Sequence, residues 1–339
     1  MQAISEQLGC TDVLQSEALV AGDSVSDWIA FLAGRTGKTE RAEHYLQQLW
    51  DYVSDQYALQ GGLNSVKATQ WHRIALTVLA LGGDPTSFGT DGSGHRVNLV
   101  ADGTYNWNMT DSLGTQGLNG WIFALLTLDA RQYPVPAGAK FTREAMLDAI
   151  IGAQEDDGGF GLTAGQSDLD ITAMALQALA PYQEQYPQQI SRALSYLASA
   201  QTARGDFGSA ESCAQVIIAL AALGIDPQAD TRFQKEGGSA LSGLLLYQTP
   251  SGGFCHLVDE DSDLLATEQG SLALLAVQRL QNSGRSIYDF SDAEIHSFAP
   301  KTSGKLLWCY IGTGSIVLGI CIAGIITHRR KSCTKSHKK

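Results

Sequence analysis

Gln154-Glu-Asp-Asp-Gly158-Gly-Phe160, followed after a polar stretch by Asp170-Ile-Thr-Ala-Met-Ala-Leu-Gln-Ala-Leu179, is a pattern this chain writes three times. Gln201-Thr-Ala-Arg-Gly205-Asp-Phe207 leads into Cys213 to Leu223, and Gln248-Thr-Pro-Ser-Gly252-Gly-Phe254 leads into Ala266 to Leu275. Phe160, Phe207 and Phe254 stand 47 residues apart each time, and a fixed period of this size marks stacked supersecondary units. Two weaker copies precede them: Gln60-Gly-Gly-Leu63 with the apolar run Thr69 to Leu81, and Gly103-Thr-Tyr105 with Gln116 to Leu128.

Each unit reads helix, Gly turn, aromatic, helix. Gly ends the first helix because it takes the left-handed conformation without steric cost, and the aromatic packs into the seam between units. The second helices, such as Ala173 to Ala180 and Val216 to Leu223, are small and apolar on nearly every face, which predicts burial on all sides. The first helices, Thr39 to Tyr57 and Pro187 to Gln201, are amphipathic and predict an outer layer. Gly82-Gly-Asp84-Pro85 and Gly224-Ile-Asp226-Pro227 repeat one exit turn. Buried inner helices alternating with half-exposed outer ones give an all-α ring or solenoid, with Val13 to Tyr57 available as a sixth unit.

Composition agrees. Of 339 residues, 44% are hydrophobic and 17% charged, which is globular rather than disordered. Thirty-six Gly against 8 Pro fits many helices punctuated by glycine. The net charge of −12 is unevenly spread: from Leu306 onward there are six Lys/Arg and no acid, leaving 17 basic against 35 acidic residues before it. So acidic a body excludes nucleic acid as a partner, since phosphate binding needs basic grooves. Cys10, Cys213, Cys255, Cys309, Cys321 and Cys333 are scattered without a CxxC, so neither a disulfide framework nor a zinc ribbon is read.

Leu306 to Thr327 is an uncharged run of 22 residues, followed at once by His328-Arg-Arg-Lys331. Its length suits a membrane-spanning helix, and the basic stop predicts a cytoplasmic C-terminus with the body outside. Met1 to Val20 has neither a basic start nor an apolar core, so the export route is not read from it. The expected organisation is an N-terminal segment 1–25, a ring 26–290, a linker 291–305, a spanning helix 306–327 and a basic tail 328–339.

The copies at Gln154, Gln201 and Gln248 match QxxxGxF/W in full and resemble the repeat of squalene cyclases and prenyltransferases, over roughly Ser26 to Asp289. That resemblance implies an α/α toroid with a central cavity, whose binding and reactive residues sit where inner helices begin. Ser26 to Lys38, Ser167 to Tyr182 and Glu211 to Gln215 together look like a group of terpene-cyclase-like surface proteins of Gram-positive bacteria. Ala299-Pro300-Lys301-Thr302-Ser303-Gly304 resembles a sortase sorting signal, with Ala and Ser replacing the usual Leu and Gly; a sortase would cut after Thr302, and the plainer reading is a membrane stalk.

Asp168-Leu-Asp170-Ile-Thr172 is similar to the DxDDT motif of squalene-hopene cyclases, in which a carboxylic acid protonates an alkene. Asp168 matches the first Asp and Asp170 the proton donor, while Ile171 replaces the third. The plainer reading has Asp168 capping the helix and Asp170 at its positive end. Glu211-Ser-Cys213 resembles half of the prenyltransferase zinc site, but the later inner helix offers Thr267-Glu-Gln269 where a His ligand is needed, so no metal or other cofactor is expected. Trp71, His72, Asn119, Trp121, Glu211, Cys213, Gln215, Glu268 and Gln269 fall near the starts of inner helices and are the candidate cavity residues; an apolar cavity with polar groups at its rim is a binding-site pattern. Asn108-Met-Thr110 is a glycosylation sequon by pattern only. The expected function is a surface-anchored toroid that binds an apolar or large-ring small molecule, terpenoid or corrinoid. The alternatives are a cyclase-type enzyme with Asp170 as general acid, and an adhesion module.

Overall fold

The repeat pattern resolves into twelve α-helices in the computed structural model, which describes residues 1–39 and 41–301. Among the described residues these are α1 (Gln2–Gln7), α2 (Ser24–Arg35), α3 (Ala42–Gln60), α4 (Thr69–Ala80), α5 (Leu99–Gly103), α6 (Asn119–Asp129), α7 (Arg143–Ile151), α8 (Leu169–Leu179), α9 (Pro187–Ala200), α10 (Ala210–Ala222), α11 (Ala240–Leu245) and α12 (Leu264–Ser283). The even-numbered helices from α2 to α12 are the inner layer. Each packs on the next, and α12 packs back on α2, so the ring closes. The odd-numbered helices alternate with them as the outer layer. The strands are a two-residue hairpin, Gln234–Lys235 paired with Gly238–Ser239.

The Gly turns hold the units together in a specific way. Gln154 Nε2 donates to Gly158 O at 2.9 Å and to Gln189 O, in the next outer helix, at 2.8 Å. Gln201 does the same with Gly205 O at 2.8 Å and Phe233 O at 3.0 Å. The glutamine of the repeat is therefore a staple between one unit and the next. Gly158 and Gly205 have φ of +90° and +92°. A Cβ on Gly205 would also stand 2.7 Å from Ser239 O, so the position demands glycine twice over.

Each buried repeat aromatic is fixed by a short side chain on the following inner helix. Phe160 N–H donates to Thr172 Oγ1 (2.8 Å), Phe207 N–H to Cys213 Sγ (3.2 Å) and Phe254 N–H to Thr267 Oγ1 (3.0 Å). Val20 N–H donates likewise to Ser26 Oγ at 3.1 Å. That shared bond identifies the N-terminal turn and α2 as a diverged copy of the same unit.

Met1–Lys301 packs as one compact unit, so segments 1–25 and 291–301 join the ring. After α12 the chain runs back across the C-terminal ends of the inner helices as a strap. Phe290 N–H donates to Ala130 O (2.8 Å), His296 N–H to Gly82 O (2.9 Å), and Arg35 to Asp289 O (2.9 Å). Ile287, Tyr288 and Phe290 are buried and stop the ring from that side. Among the described residues no helix is long and apolar enough to cross a membrane. Leu306 to Thr327, the basic tail and Thr302 lie outside the described residues; Pro300 lies within them, at the end of the strap.

Candidate ligand-binding lumen

Helical spacing decides which side chains face the ring's centre. Residues four and seven apart share a face: Asn119 and Phe123 on α6; Asp170, Met174 and Gln177 on α8; Glu211 and Gln215 on α10. Two contacts show that this face looks inward. Trp28 on α2 meets Phe123 on α6 across the ring, with ring centroids 6.0 Å apart, although α4 separates these helices around the circle. Gln177 Nε2 donates to Gln215 Oε1 (2.9 Å), and Gln215 Nε2 to Gln269 Oε1 (2.7 Å), linking α8, α10 and α12.

These side chains converge on the centre of the ring, toward the N-terminal ends of the inner helices. The rim there is acidic. Asp168 caps α8 by accepting Ile171 N–H at 2.9 Å. Asp170 follows it inward, half-buried, and its pKa is raised above the ordinary carboxylate value, first by burial and then by the charges of Asp168 and Glu211, against a hydrogen bond from Ser212. Glu211 is held by exposed His256 at 2.9 Å, a bond that raises the imidazole pKa. Below the rim come half-buried Trp28, Phe123 and Met174. Tyr288 forms the floor, its ring centroid 6.5 Å from Trp28.

Glu268 is the anomaly. It is fully buried, and neither carboxylate oxygen has a partner. Burial, eased by the neighbouring Gln269 side chain and reinforced by the Glu211 charge, pushes its pKa up to about 8, so it holds a proton at neutral pH. Its charge is felt by the Tyr288 phenol. Asn119 Oδ1, Asp170 Oδ1 and Gln177 Oε1 are also buried without partners.

Other sequence candidates look elsewhere. Trp71 donates to Tyr57 OH (2.8 Å) and meets Trp107 edge-on, within the outer layer. His72 is fully buried with Nε2 2.6 Å from Gly103 O. A carbonyl only accepts, so Nε2 carries the hydrogen, and burial lowers the ring pKa to about 4. Trp121 packs on Phe141 and lines an outer cavity of about 550 Å³. Cys213 faces the Phe207 turn, and burial pushes its thiol up to about 12. Zinc of the prenyltransferase kind does not fit here: the thiol points away from Glu211's side of the helix, and Glu211 is engaged by His256. Trp28, Phe123, Met174, Gln177 and Tyr288 are the lumen residues that motif reading missed. Met174 and Gln177 carried a signal, lying four and seven residues beyond Asp170.

Two cavities lie on the opposite face. One of about 570 Å³ opens among the C-terminal ends of α6, α8 and α10, with Gln177 and Tyr288 in its wall. A larger cleft of about 830 Å³ follows the seam between the strap and the ends of α2 and α4. The larger volume does not make that cleft the better site. Acidic and basic groups in its wall pair with each other, as in Arg279–Asp292 at 2.8 Å and Arg35–Asp292 at 3.5 Å, whereas buried Glu268 at the ring's centre has no such partner.

No protein-family model matches the chain. No curated protein matches it by sequence. Among solved structures it is similar to a protein geranylgeranyltransferase-I of Candida albicans complexed with GGPP, at 12% identity and TM-score 0.54, covering 83% of this chain and 90% of that one. The type II terpene cyclase MstE of Scytonema aligns at 12% identity and TM-score 0.44, covering 75% of this chain and 88% of that one. A variant of that cyclase holding its substrate, geranylgeranyl dihydroxybenzoate, aligns with the same identity, TM-score and coverage. The first of these likenesses establishes the class of fold: an α/α toroid of the prenyltransferase kind.

Proposed function

We propose that the toroid is a receptor. It holds an apolar or large-ring small molecule, of terpenoid or corrinoid class, at the N-terminal end of its ring, and is carried outside the cell by the anchor read at Leu306 to Thr327, with Thr302 as the point of sortase transfer. The supporting observation is the combination of aromatic walls with buried acceptors that lack donors: Asn119 Oδ1, Asp170 Oδ1 and Gln177 Oε1. Unmade buried hydrogen bonds cost about 1–3 kcal/mol each, and a ligand bearing N–H or O–H groups recovers them. A prenyl diphosphate fits poorly, because the described rim presents Asp168, Asp170 and Glu211, and like charges repel.

The second reading, a cyclase-type enzyme with Asp170 as general acid, draws on its raised pKa, which moves it toward the acid's role. Alkene protonation asks for more, namely donors that stabilise both oxygens of the carboxylate left behind; Ser212 serves Asp170, but Oδ1 has no donor. The test is native mass spectrometry of residues 1–301 incubated with a corrinoid mixture and with a lipid extract. A stoichiometric bound mass, lost in Trp28→Ala, is the receptor result. Release of a rearranged prenyl chain, abolished by Asp170→Asn, would replace it with the cyclase reading.

A further inference from the structure

Glu268 and Asp27 occupy the same place in their helices. Each directly follows the hydroxyl residue that accepts the turn N–H, Thr267 for Phe254 and Ser26 for Val20. Both acids are fully buried. Their surroundings differ completely. Asp27 accepts from Tyr45 OH (2.8 Å), Gly22 N–H (3.1 Å) and Arg73 Nε (2.9 Å), the guanidinium coming from α4, the next helix of the ring. Glu268 accepts from none. The helix after α12 is α2, which brings no cation to it. The titratable groups that face Glu268 are Glu211 from α10 and Tyr288 from the strap, and neither is a cation. Beyond Tyr288 stand Trp28 and Phe123, whose ring faces attract positive charge. Arg73 and His256 are already paired, with Asp27 and Glu211.

We propose that the lumen's ligand carries a cationic head, an organic ammonium on an apolar body, that takes beside Glu268 the place Arg73 takes beside Asp27, within the ring of Trp28, Phe123 and Tyr288. This rests on the receptor reading above and specifies its ligand class. On binding, the ammonium displaces the Glu268 proton to solvent, so one proton leaves for each charge that enters.

The test uses the full chain in neutral-lipid nanodiscs, titrated calorimetrically at pH 7 with cyclohexylmethylamine, cyclohexylmethanol and cyclohexanecarboxylate. The amine is expected to bind about tenfold or more tightly than the alcohol, with the carboxylate weakest. The heat of amine binding should change with the buffer's ionisation enthalpy, reporting the released proton, while that of the alcohol should not. Glu268→Gln should bring amine and alcohol level, and Trp28→Ala should weaken both. If amine and alcohol bind alike and both depend on Trp28, the cation proposal is overturned while the receptor stands. If neither binds, or binding ignores Trp28, the receptor reading falls with it.

Discussion

Replacing Glu268 with Gln isolates the energetic cost of one buried acid. In the unfolded chain this carboxyl titrates near 4.5, and in the folded ring near 8. Below pH 4.5 both states hold the proton and Glu268 costs nothing on this account. Between 4.5 and 8 the unfolded state loses its proton while the folded state keeps it, so stability falls as pH rises, by about 1.4 kcal/mol per pH unit. Above 8 the penalty levels off at about 5 kcal/mol, and at pH 7 it is about 3 kcal/mol. Gln has nearly the same shape, holds no proton and leaves similar polar atoms unpartnered. The variant should therefore match the parent within about 1 kcal/mol at pH 4.5 and exceed it by about 2–3 kcal/mol at pH 7. For a unit of this size that is roughly 5 °C in Tm. Thermal unfolding of both proteins from pH 4.5 to 8 is the assay. Parallel curves across that range would refute the reasoning, because they would mean that Glu268 finds a donor or reaches water in the folded state.

Three further outcomes follow from the packing. Arg73→Met leaves Asp27 buried without its cation and should cost about 3–5 kcal/mol, read by denaturant unfolding. Gly205→Ala forces a left-handed residue against Ser239 O and should cost about 2 kcal/mol or more, while alanine at Gly165, whose added Cβ meets nothing within 4 Å, should pay only the backbone strain of about 1 kcal/mol. Cys213→Ser keeps an acceptor for Phe207 N–H and should stay within about 1 kcal/mol, whereas Cys213→Val should lose about 1–3 kcal/mol; the native thiol should resist alkylation at pH 8.

The ring was legible because its punctuation is chemical. A left-handed glycine and a stapling glutamine leave a fixed spacing in the sequence, as at Gln154 and Gln201. Gln248 keeps the letters of the motif but is exposed. The closing unit was harder to see. Around Val20 to Ser26 neither glutamine nor aromatic remains, and the shared feature, a hydroxyl or thiol that takes the turn N–H, recurs at varying distances from the turn and makes no pattern. The starts of the inner helices were legible, but not the direction each side chain takes from them. Asn119, Asp170, Gln215 and Gln269 begin inner helices and face the lumen, while Trp71, Trp121 and Cys213 begin them too and face outward, because one step along a helix turns a side chain by about 100°. Tyr288 and Phe290 were read as the last residues of the ring, and only the folded chain brings them across its far end.

The most direct test of the central claim is oxidative footprinting of the chain with and without its captured ligand. A ligand at the N-terminal end of the ring should protect Trp28 and Met174 together and leave Trp121 and Met109 unchanged. Protection at Trp121 alone, or none at Trp28 despite a bound mass, would contradict the account and place the ligand outside the lumen.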